Sequence, residues 1–352
     1  MPITERFRPK ILPSLLGTLL GGLLVLATSA QARELVDMKG RTVAVPDQVD
    51  KVLTTAPPTM PLVYVLDPAR LTAMNFAVKA QDVPYFSPLV QDLPVIGRYL
   101  GDGPLPQREA VLAAGPELGI AWDNRFVDAD GVEKTFVELG IPGLYVRVEH
   151  LADYPEALAL VGRAIGREAR AAELGAYIEE AIAEVTRAVA DVPPGERPRV
   201  YFAEGPNGLI SECAGAFHAE AIVLAGGENV LVCEQKALCG LESVTLDQVR
   251  ALDPDLILIQ SPKFYAAIQQ DPAWADLQAV REGRFYQVPT TPFNWMGRPP
   301  SFMRALAIQW LANRFYPERF PWDREAETRT FYQLFLGVEP SDAQLAEVLA
   351  GS

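Results

Sequence analysis

Two stretches of similar pattern decide the fold class: residues 108–120 read REAVLAAGPELGI, and residues 246–258 read LDQVRALDPDLIL. The second follows the first at a constant offset of 138 residues, from 108 to 246. In each stretch, a short helical run that carries an acidic residue leads through a turn of proline and acid into an apolar run. Such a repeat predicts two lobes of like fold, each with a helix followed by a buried strand.

The segments around these two stretches also alternate between short apolar runs and helical runs. The predicted strands are residues 52–53, 71–74, 118–122, 144–146 and 199–203, and the predicted helices are 108–114, 132–139 and 302–314. Residues 35–46 alternate around a Lys39-Gly40 turn and predict a hairpin. Alternation of strands and helices is typical of parallel sheets covered by helices, so the predicted class is α/β.

One long helical segment separates the two halves. It has no proline between Pro155 and Pro193, and its apolar residues recur at steps of three and four. From Tyr154 to about Val192 the pattern therefore predicts one rigid helix of ~57 Å, which joins the lobes within the segment 151–192. The alternative is two helices that meet near Gly162 or Gly166. The lobes would then be residues 33–150 and 193–352.

The first 32 residues have the pattern of a secretory signal peptide. Three basic residues (Arg6, Arg8 and Lys10) precede an apolar run over 11–27, and the small residues Ala30 and Ala32 follow it. Cleavage after Ala32 would release a soluble chain into the periplasm, with no later stretch long and apolar enough to insert into the membrane. The alternative is an N-terminal membrane anchor.

Charge and composition exclude several classes of function. The chain has 45 Asp and Glu against 31 Lys and Arg, for a net charge of -14, and such a surface repels nucleic acid. With two histidines and three cysteines, a protein metal site of several His or Cys ligands is not expected, and no resident cofactor is predicted. The sequence also lacks G-x-S-x-G, H-E-x-x-H and P-loop motifs, so it is predicted not to be an enzyme.

The three cysteines would enter an oxidising compartment after export. Cys233 and Cys239 flank a polar, turn-like stretch and are the predicted disulfide pair, which leaves Cys213 over. Three unpaired thiols are the alternative.

Four features together carry a family resemblance. These are the run FHAEAIVLAGGENV at 217–230, the run DMKGR at 37–41, the duplicated unit and the central helical segment. With them the chain resembles the periplasmic binding proteins that feed ABC importers of ferric siderophores, cobalamin and related metal complexes. The resemblance implies two Rossmann-like lobes, a shallow cleft between them and little closure on the ligand. It also implies that an acidic residue on each lobe docks onto the membrane permease, at Glu109 and Asp247.

In such a protein the ligand is expected where strands end at the cleft between the lobes. Aromatic rings pack on apolar ligand faces, and arginine pairs with anionic groups. The candidate ligand-binding residues are Thr59, Arg98, Tyr99, Trp122, Asn124, Arg125, Glu204, Asn207, Lys263, Phe264, Asn294, Trp295 and Arg298.

The predicted function is therefore that of a monomeric periplasmic receptor. It would capture a small metal complex, a ferric siderophore in the first place, and deliver it to an ABC importer. An oxyanion such as molybdate, or cobalamin or haem, is the alternative ligand. A secreted hydrolase and an adhesion or scaffold protein are the competing classes of function.

Overall fold

The computed structural model describes Met1 and residues 32–99, 108–235 and 240–352. The predicted signal peptide therefore lies outside the described residues, apart from its two ends, and so does Cys239. The chain divides into two units, Met1–Gln31 and Ala32–Ser352, and all that follows concerns the second. No helix among the described residues is long and apolar enough to cross a membrane.

The strands and helices follow the predicted alternation closely. The strands are β1 (Ala32–Val36), β2 (Thr42–Pro46), β3 (Val52–Thr54), β4 (Leu118–Trp122), β5 (Gly143–Val146), β6 (Arg199–Ala203), β7 (Ile210–Ser211), β8 (Glu228–Asn229), β9 (Glu242–Ser243), β10 (Leu256–Ile259) and β11 (Phe285–Gln287). The helices are α1 (Met60–Leu66), α2 (Pro88–Gln91), α3 (Arg108–Ala114), α4 (Ala129–Leu139), α5 (Tyr154–Ile165), α6 (Glu168–Val189), α7 (Glu220–Leu224), α8 (Leu246–Leu252), α9 (Pro262–Ile268), α10 (Gln278–Arg281), α11 (Arg304–Phe315), α12 (Arg324–Phe331) and α13 (Asp342–Val348).

Two parallel sheets form the centres of the two lobes. In the N-terminal lobe the strand order is β3-β4-β5, and in the C-terminal lobe it is β11-β10-β6-β8. Every residue of β4 and of β10 is buried, as expected for strands covered on both faces. The unit α3-β4 recurs as α8-β10 with the spacing read from the sequence. The prediction of an α/β fold with parallel sheets is confirmed.

The remaining strands form two small antiparallel pairs. β1 and β2 make the predicted hairpin, with Ala32 opposite Pro46, and β7 pairs with β9. Residues 71–74, predicted as a strand, form only isolated bridges from Leu71 to Val52 and from Met74 to Val95.

The lobe-connecting segment is two helices, so the prediction of one long helix over 151–192 is wrong. Helix α5 ends at Ile165 and is capped by Gly166, whose φ of +68° lies in the left-handed region that favours glycine. Helix α6 then runs back along α5, since a Cβ at Gly162 would lie 2.6 Å from the Cβ of Ala171 and one at Gly175 would lie 3.5 Å from Pro155. The helical periodicity continues across residues 166–167, which is why the sequence reads as one element.

The disulfide joins Cys213 to Cys233, with 5.1 Å between their Cα atoms. The predicted pair of Cys233 with Cys239 is therefore wrong. The pairing that forms bridges 20 residues of sequence and ties the segment after β7 to the loop after β8. Sequence spacing favoured the nearer cysteine, but the fold brings the farther one into reach.

Two glycines on neighbouring strands make room for one aromatic ring. Gly119 on β4 and Gly143 on β5 lie under the ring of Phe136, which α4 places on the sheet. A Cβ at Gly119 would lie 2.1 Å from Cε1 of Phe136, and one at Gly143 would lie 2.2 Å from its ring. These positions therefore accept no side chain unless α4 moves.

We expect Gly119→Ala to lower the free energy of unfolding by about 1–3 kcal/mol, because overpacking displaces the Phe136 ring. Urea denaturation of the purified chain measures the change. Gly195→Ala is the matched control, since a Cβ there would meet no described atom within 4 Å. Equal stabilities of the two variants would contradict the packing argument.

Candidate ligand-binding cleft

A cavity of about 410 Å³ lies between the two lobes. The N-terminal lobe contributes one segment, and the C-terminal lobe contributes residues that follow β10 and β11. The lining residues are Phe76, Ala77, Val78, Lys79, Gln81, Asp82, Phe86, Gln260, Pro262, Thr290, Pro292, Phe293, Asn294, Arg298 and Pro299. The C-terminal residues lie at the carboxyl ends of parallel strands, where ligands of open α/β sheets bind.

Three phenylalanines form the apolar wall of the cavity. Phe293 makes edge-to-face contacts with Phe76, at 6.2 Å between ring centroids, and with Phe86, at 5.3 Å. Because Phe76 and Phe86 belong to one lobe and Phe293 to the other, the wall is built across the lobe boundary. Rings of this kind pack against flat apolar faces of a ligand.

The polar wall is built around Arg298. Its guanidinium donates from Nε to Oε1 of Glu204 at 3.0 Å and from Nη2 to Oε1 of Glu212. Both carboxylates are buried, at 1 % and 0 % exposure. Burial raises the pKa of Glu204, and the charge and hydrogen bond of Arg298 oppose that rise. Among the described residues, Oε2 of each glutamate has no hydrogen-bond partner.

A second charged pair, Lys79 and Asp82, lines the cavity from the N-terminal lobe. Burial raises the pKa of Asp82, whereas a hydrogen bond from Thr291 and the charge of Lys79 oppose the rise.

The structure brings three of the predicted ligand-binding residues together. Asn294 and Arg298 line the cavity, and Glu204 contacts Arg298 behind it. Asn294 is held in place because its Oδ1 accepts from the backbone N–H of Met296 at 2.7 Å.

Five other candidates are buried and lie outside the cavity lining instead. Trp295 contacts Trp310, Trp122 contacts Phe217, and Phe264 contacts Trp274. The hydroxyl of Thr59 donates to the carbonyl of Ala56, and Tyr99 packs in the N-terminal core. The prediction that these side chains face the ligand is corrected, because each of them is buried in the protein interior. They are Thr59, Tyr99, Trp122, Phe264 and Trp295.

The last five candidates lie outside the lining of the cavity. Four are exposed: Arg98, Arg125, Asn207 and Lys263. Arg125 lies over the ring of Phe126, and Oδ1 of Asn207 accepts from the N–H of Leu209. Asn124 donates to Glu149 and caps the following turn at Phe126.

The residues that sequence reasoning missed include Phe76, Phe86 and Glu212. The two phenylalanines follow no predicted strand end, so only their position in an irregular stretch rich in apolar residues could have singled them out. Glu212 lies next to Cys213, and a carboxylate in so apolar a neighbourhood was the available signal.

The loop that carries Arg298 is anchored by two buried side chains. Nδ1 of His218 lies 2.6 Å from the carbonyl oxygen of Gly297. Because a carbonyl oxygen can only accept, Nδ1 is the donor in this hydrogen bond. Gly297 has a φ of +87°, and a Cβ there would lie 2.9 Å from Cδ of Arg304. Arg304 in turn pairs with Glu220 at 2.6 Å. The position of Arg298 thus depends on the packing beneath it.

The two residues of the implied docking pair occupy equivalent places. Glu109 lies in the first turn of α3 and Asp247 in the first turn of α8, and both are exposed. Asp247 also forms an ion pair with Arg250 at 2.8 Å, within the same helix. Neither residue is among those that line the cavity.

Comparison with known proteins agrees with this architecture. The family model described as "Periplasmic binding protein" matches residues 96–292, more than half of the chain. An ABC transporter solute binding protein from Sulfurospirillum deleyianum has a TM-score of 0.84 and 36 % identity, covering 90 % of this chain and 98 % of its own. MolA of Haemophilus influenzae in its molybdate-bound structure has a TM-score of 0.72 at 18 % identity, covering 88 % of this chain and 99 % of its own, which shows the fold alone.

A sequence match to the Molybdate-binding protein MolA of Haemophilus influenzae is 30 % identical over 150 residues. It covers 42 % of this chain, which spans about two-fifths of the length of that relative (41 %). Family membership is decided by the match to the family model, because this match extends over both lobes and reaches the cavity. The chain belongs to the periplasmic binding protein family.

Proposed function

We propose that the chain is a periplasmic receptor that binds a metal complex in the cavity between its lobes and delivers it to an ABC importer. The observation that carries this proposal is the cavity itself. Its volume of about 410 Å³ lies in the range of small-molecule sites, and three phenylalanine rings wall one side of it. A chelate with apolar faces fills such a space, and its metal needs no ligands from the protein. A ferric siderophore is the first candidate.

Molybdate is the second candidate ligand. The match to the Molybdate-binding protein MolA favours it, and Arg298 is a cation at the cavity wall. A bare oxyanion has no apolar face for the phenylalanine rings to cover, so we rank it after a chelate. Cobalamin and haem are further ligands to be tested.

Native mass spectrometry of the protein purified from its own periplasm tests the proposal, because it weighs the bound ligand directly. Titration with ferrioxamine B, cyanocobalamin, haemin and molybdate, followed by intrinsic fluorescence, is the second measurement. A bound ferric chelate, or saturable quenching by one, supports the proposal. A protein that carries no ligand and responds to none of the four probes contradicts it.

Export through a cleaved signal peptide is part of the proposal. Cleavage after Ala32 would keep Arg33, which pairs with Val45 in the hairpin and donates from Nη2 to the carbonyl of Ala164 at 2.9 Å. The mass of the periplasmic protein should therefore correspond to a chain that starts at Arg33. A mass that retains residues 1–32 would favour the membrane anchor.

Docking to the permease is assigned to Glu109 and Asp247. Exposed charges mainly set the rate of association and its salt dependence. We expect the double variant Glu109→Ala with Asp247→Ala to bind ligand like wild type, but to support uptake about tenfold more slowly at low ionic strength. Uptake by vesicles that contain the cognate importer measures this. Glu173→Ala with Glu179→Ala, two exposed acids on α6, is the control, and equal slowing by both pairs would refute the docking role.

A further inference from the structure

The cavity wall around Arg298 does not carry the net positive charge that an arginine without acidic partners would supply. Arg298 is held between Glu204 and Glu212, two carboxylates that are almost completely buried. Glu212 is itself fixed, because its backbone carbonyl accepts from Nδ2 of Asn229 at 3.0 Å and the disulfide holds the next residue, Cys213. The guanidinium of Arg298 therefore lies between two buried carboxylates, of which that of Glu212 is held in place by its surroundings.

An anionic ligand would have to compete with these partners. Drawing Arg298 toward the ligand would weaken its bonds to two buried carboxylates, and a buried charge that loses its partner is strongly destabilised. Leaving the guanidinium in place gives the anion little attraction from Arg298, because its charge is already balanced by the two carboxylates. Either way, an anion gains less from Arg298 than it would from an arginine exposed to solvent.

The rest of the cavity does not change this balance. Lys79 and Asp82 contribute one charge of each sign, and the phenylalanine wall contributes none. With Arg298 and its two glutamates, the described groups at the cavity carry two positive and three negative charges when all are ionised.

We propose that this cavity selects a ligand without net negative charge, a neutral or cationic metal complex with apolar faces, and that Glu212 is a specificity-determining residue. The proposal rests on the proposed receptor function and narrows its ligand class. Glu212 acts through Arg298, so it is a positioning residue that sets the charge seen by the ligand.

Three probes that share one chelate test the proposal. Ferrioxamine B carries a free amine and a charge of +1, its N-acetyl derivative is neutral, and its N-succinyl derivative carries a charge of -1. For the wild type we expect the Kd to rise about tenfold from the cationic to the anionic probe. The charge of the probe changes from +1 to -1, close to the partly dehydrated cluster of Arg298, Glu204 and Glu212. In Glu212→Gln the ratio of the two Kd values should fall at least about threefold.

Glu179→Gln changes an exposed acid on α6 that does not line the cavity, so it is the matched control and should leave the ratio unchanged. Tighter binding of the N-succinyl probe or of molybdate than of ferrioxamine B would overturn the charge proposal while leaving the receptor function in place. An unchanged ratio in folded Glu212→Gln would overturn the role of Glu212. No binding of any probe, together with no ligand in the native mass spectrum, would overturn the receptor function and the charge proposal with it.

Discussion

Arg304→Met should lower the free energy of unfolding by about 3–5 kcal/mol, as expected when one partner of a buried ion pair is removed. Arg304 is 1 % exposed, and its guanidinium donates to Glu220 at 2.6 Å and to the carbonyls of Val148 at 3.0 Å and Glu149 at 2.6 Å. The methionine side chain replaces much of the apolar part of the Arg304 side chain, but it has no hydrogen-bond donor. The variant would leave a partly buried carboxylate and two carbonyls without these bonds.

Urea denaturation at neutral pH measures this loss, and Arg319→Met is the matched control. Arg319 pairs with Asp191, whose side chain is 76 % exposed, so its loss should cost less than about 1 kcal/mol. Arg304→Met combined with Glu220→Gln should cost less than the sum of the single changes, because the carboxylate left behind is then neutral. Similar losses for Arg304→Met and Arg319→Met would show that the buried pair adds nothing.

The fold could be predicted from the sequence because its signals are local. The repeat of helix, turn and strand fixes α3-β4 and α8-β10, and continuous apolar strands imply sheets covered on both faces. One long helix was predicted, with a break near Gly162 or Gly166 as the alternative, because the apolar periodicity of α5 resumes in α6 after only two residues. A single left-handed glycine reverses the chain there, and composition alone does not distinguish it from the tolerated glycine at 162.

The cavity could be predicted only in part, because it depends on contacts between distant segments. The rule that ligands bind at strand ends found Arg298 and Asn294, which follow β11. The same rule also selected Trp122 and Trp295. A large aromatic residue after a strand gives the same sequence pattern whether its side chain fills a core or faces a ligand. The segment that carries Phe76 reaches the cavity, and Glu212 reaches Arg298, through tertiary packing that the sequence periodicity does not encode.

His218 should make the protein lose stability in mild acid. The side chain is 3 % exposed, and burial, with a smaller contribution from the charge of Arg304, lowers the pKa of His218 to about 3, while its bond to Gly297 opposes the change. Because this pKa lies below the usual 6.5, the unfolded chain takes up the proton first as the pH falls. The contribution of His218 to stability is therefore complete above pH 6.5 and is lost progressively down to about pH 3.

We expect His218→Gln to remove about 2 kcal/mol from the fall in unfolding free energy between pH 7 and pH 5, since each pH unit below 6.5 costs about 1.4 kcal/mol. The glutamine amide can still donate to the carbonyl of Gly297 but binds no proton in this range. Denaturation curves at several pH values measure the slope. His150→Gln is the control, because its side chain is 63 % exposed and its replacement removes a histidine without opening the core. If wild type and His218→Gln lose stability in parallel from pH 7 to pH 5, the buried neutral histidine is not the group that makes this fold sensitive to acid.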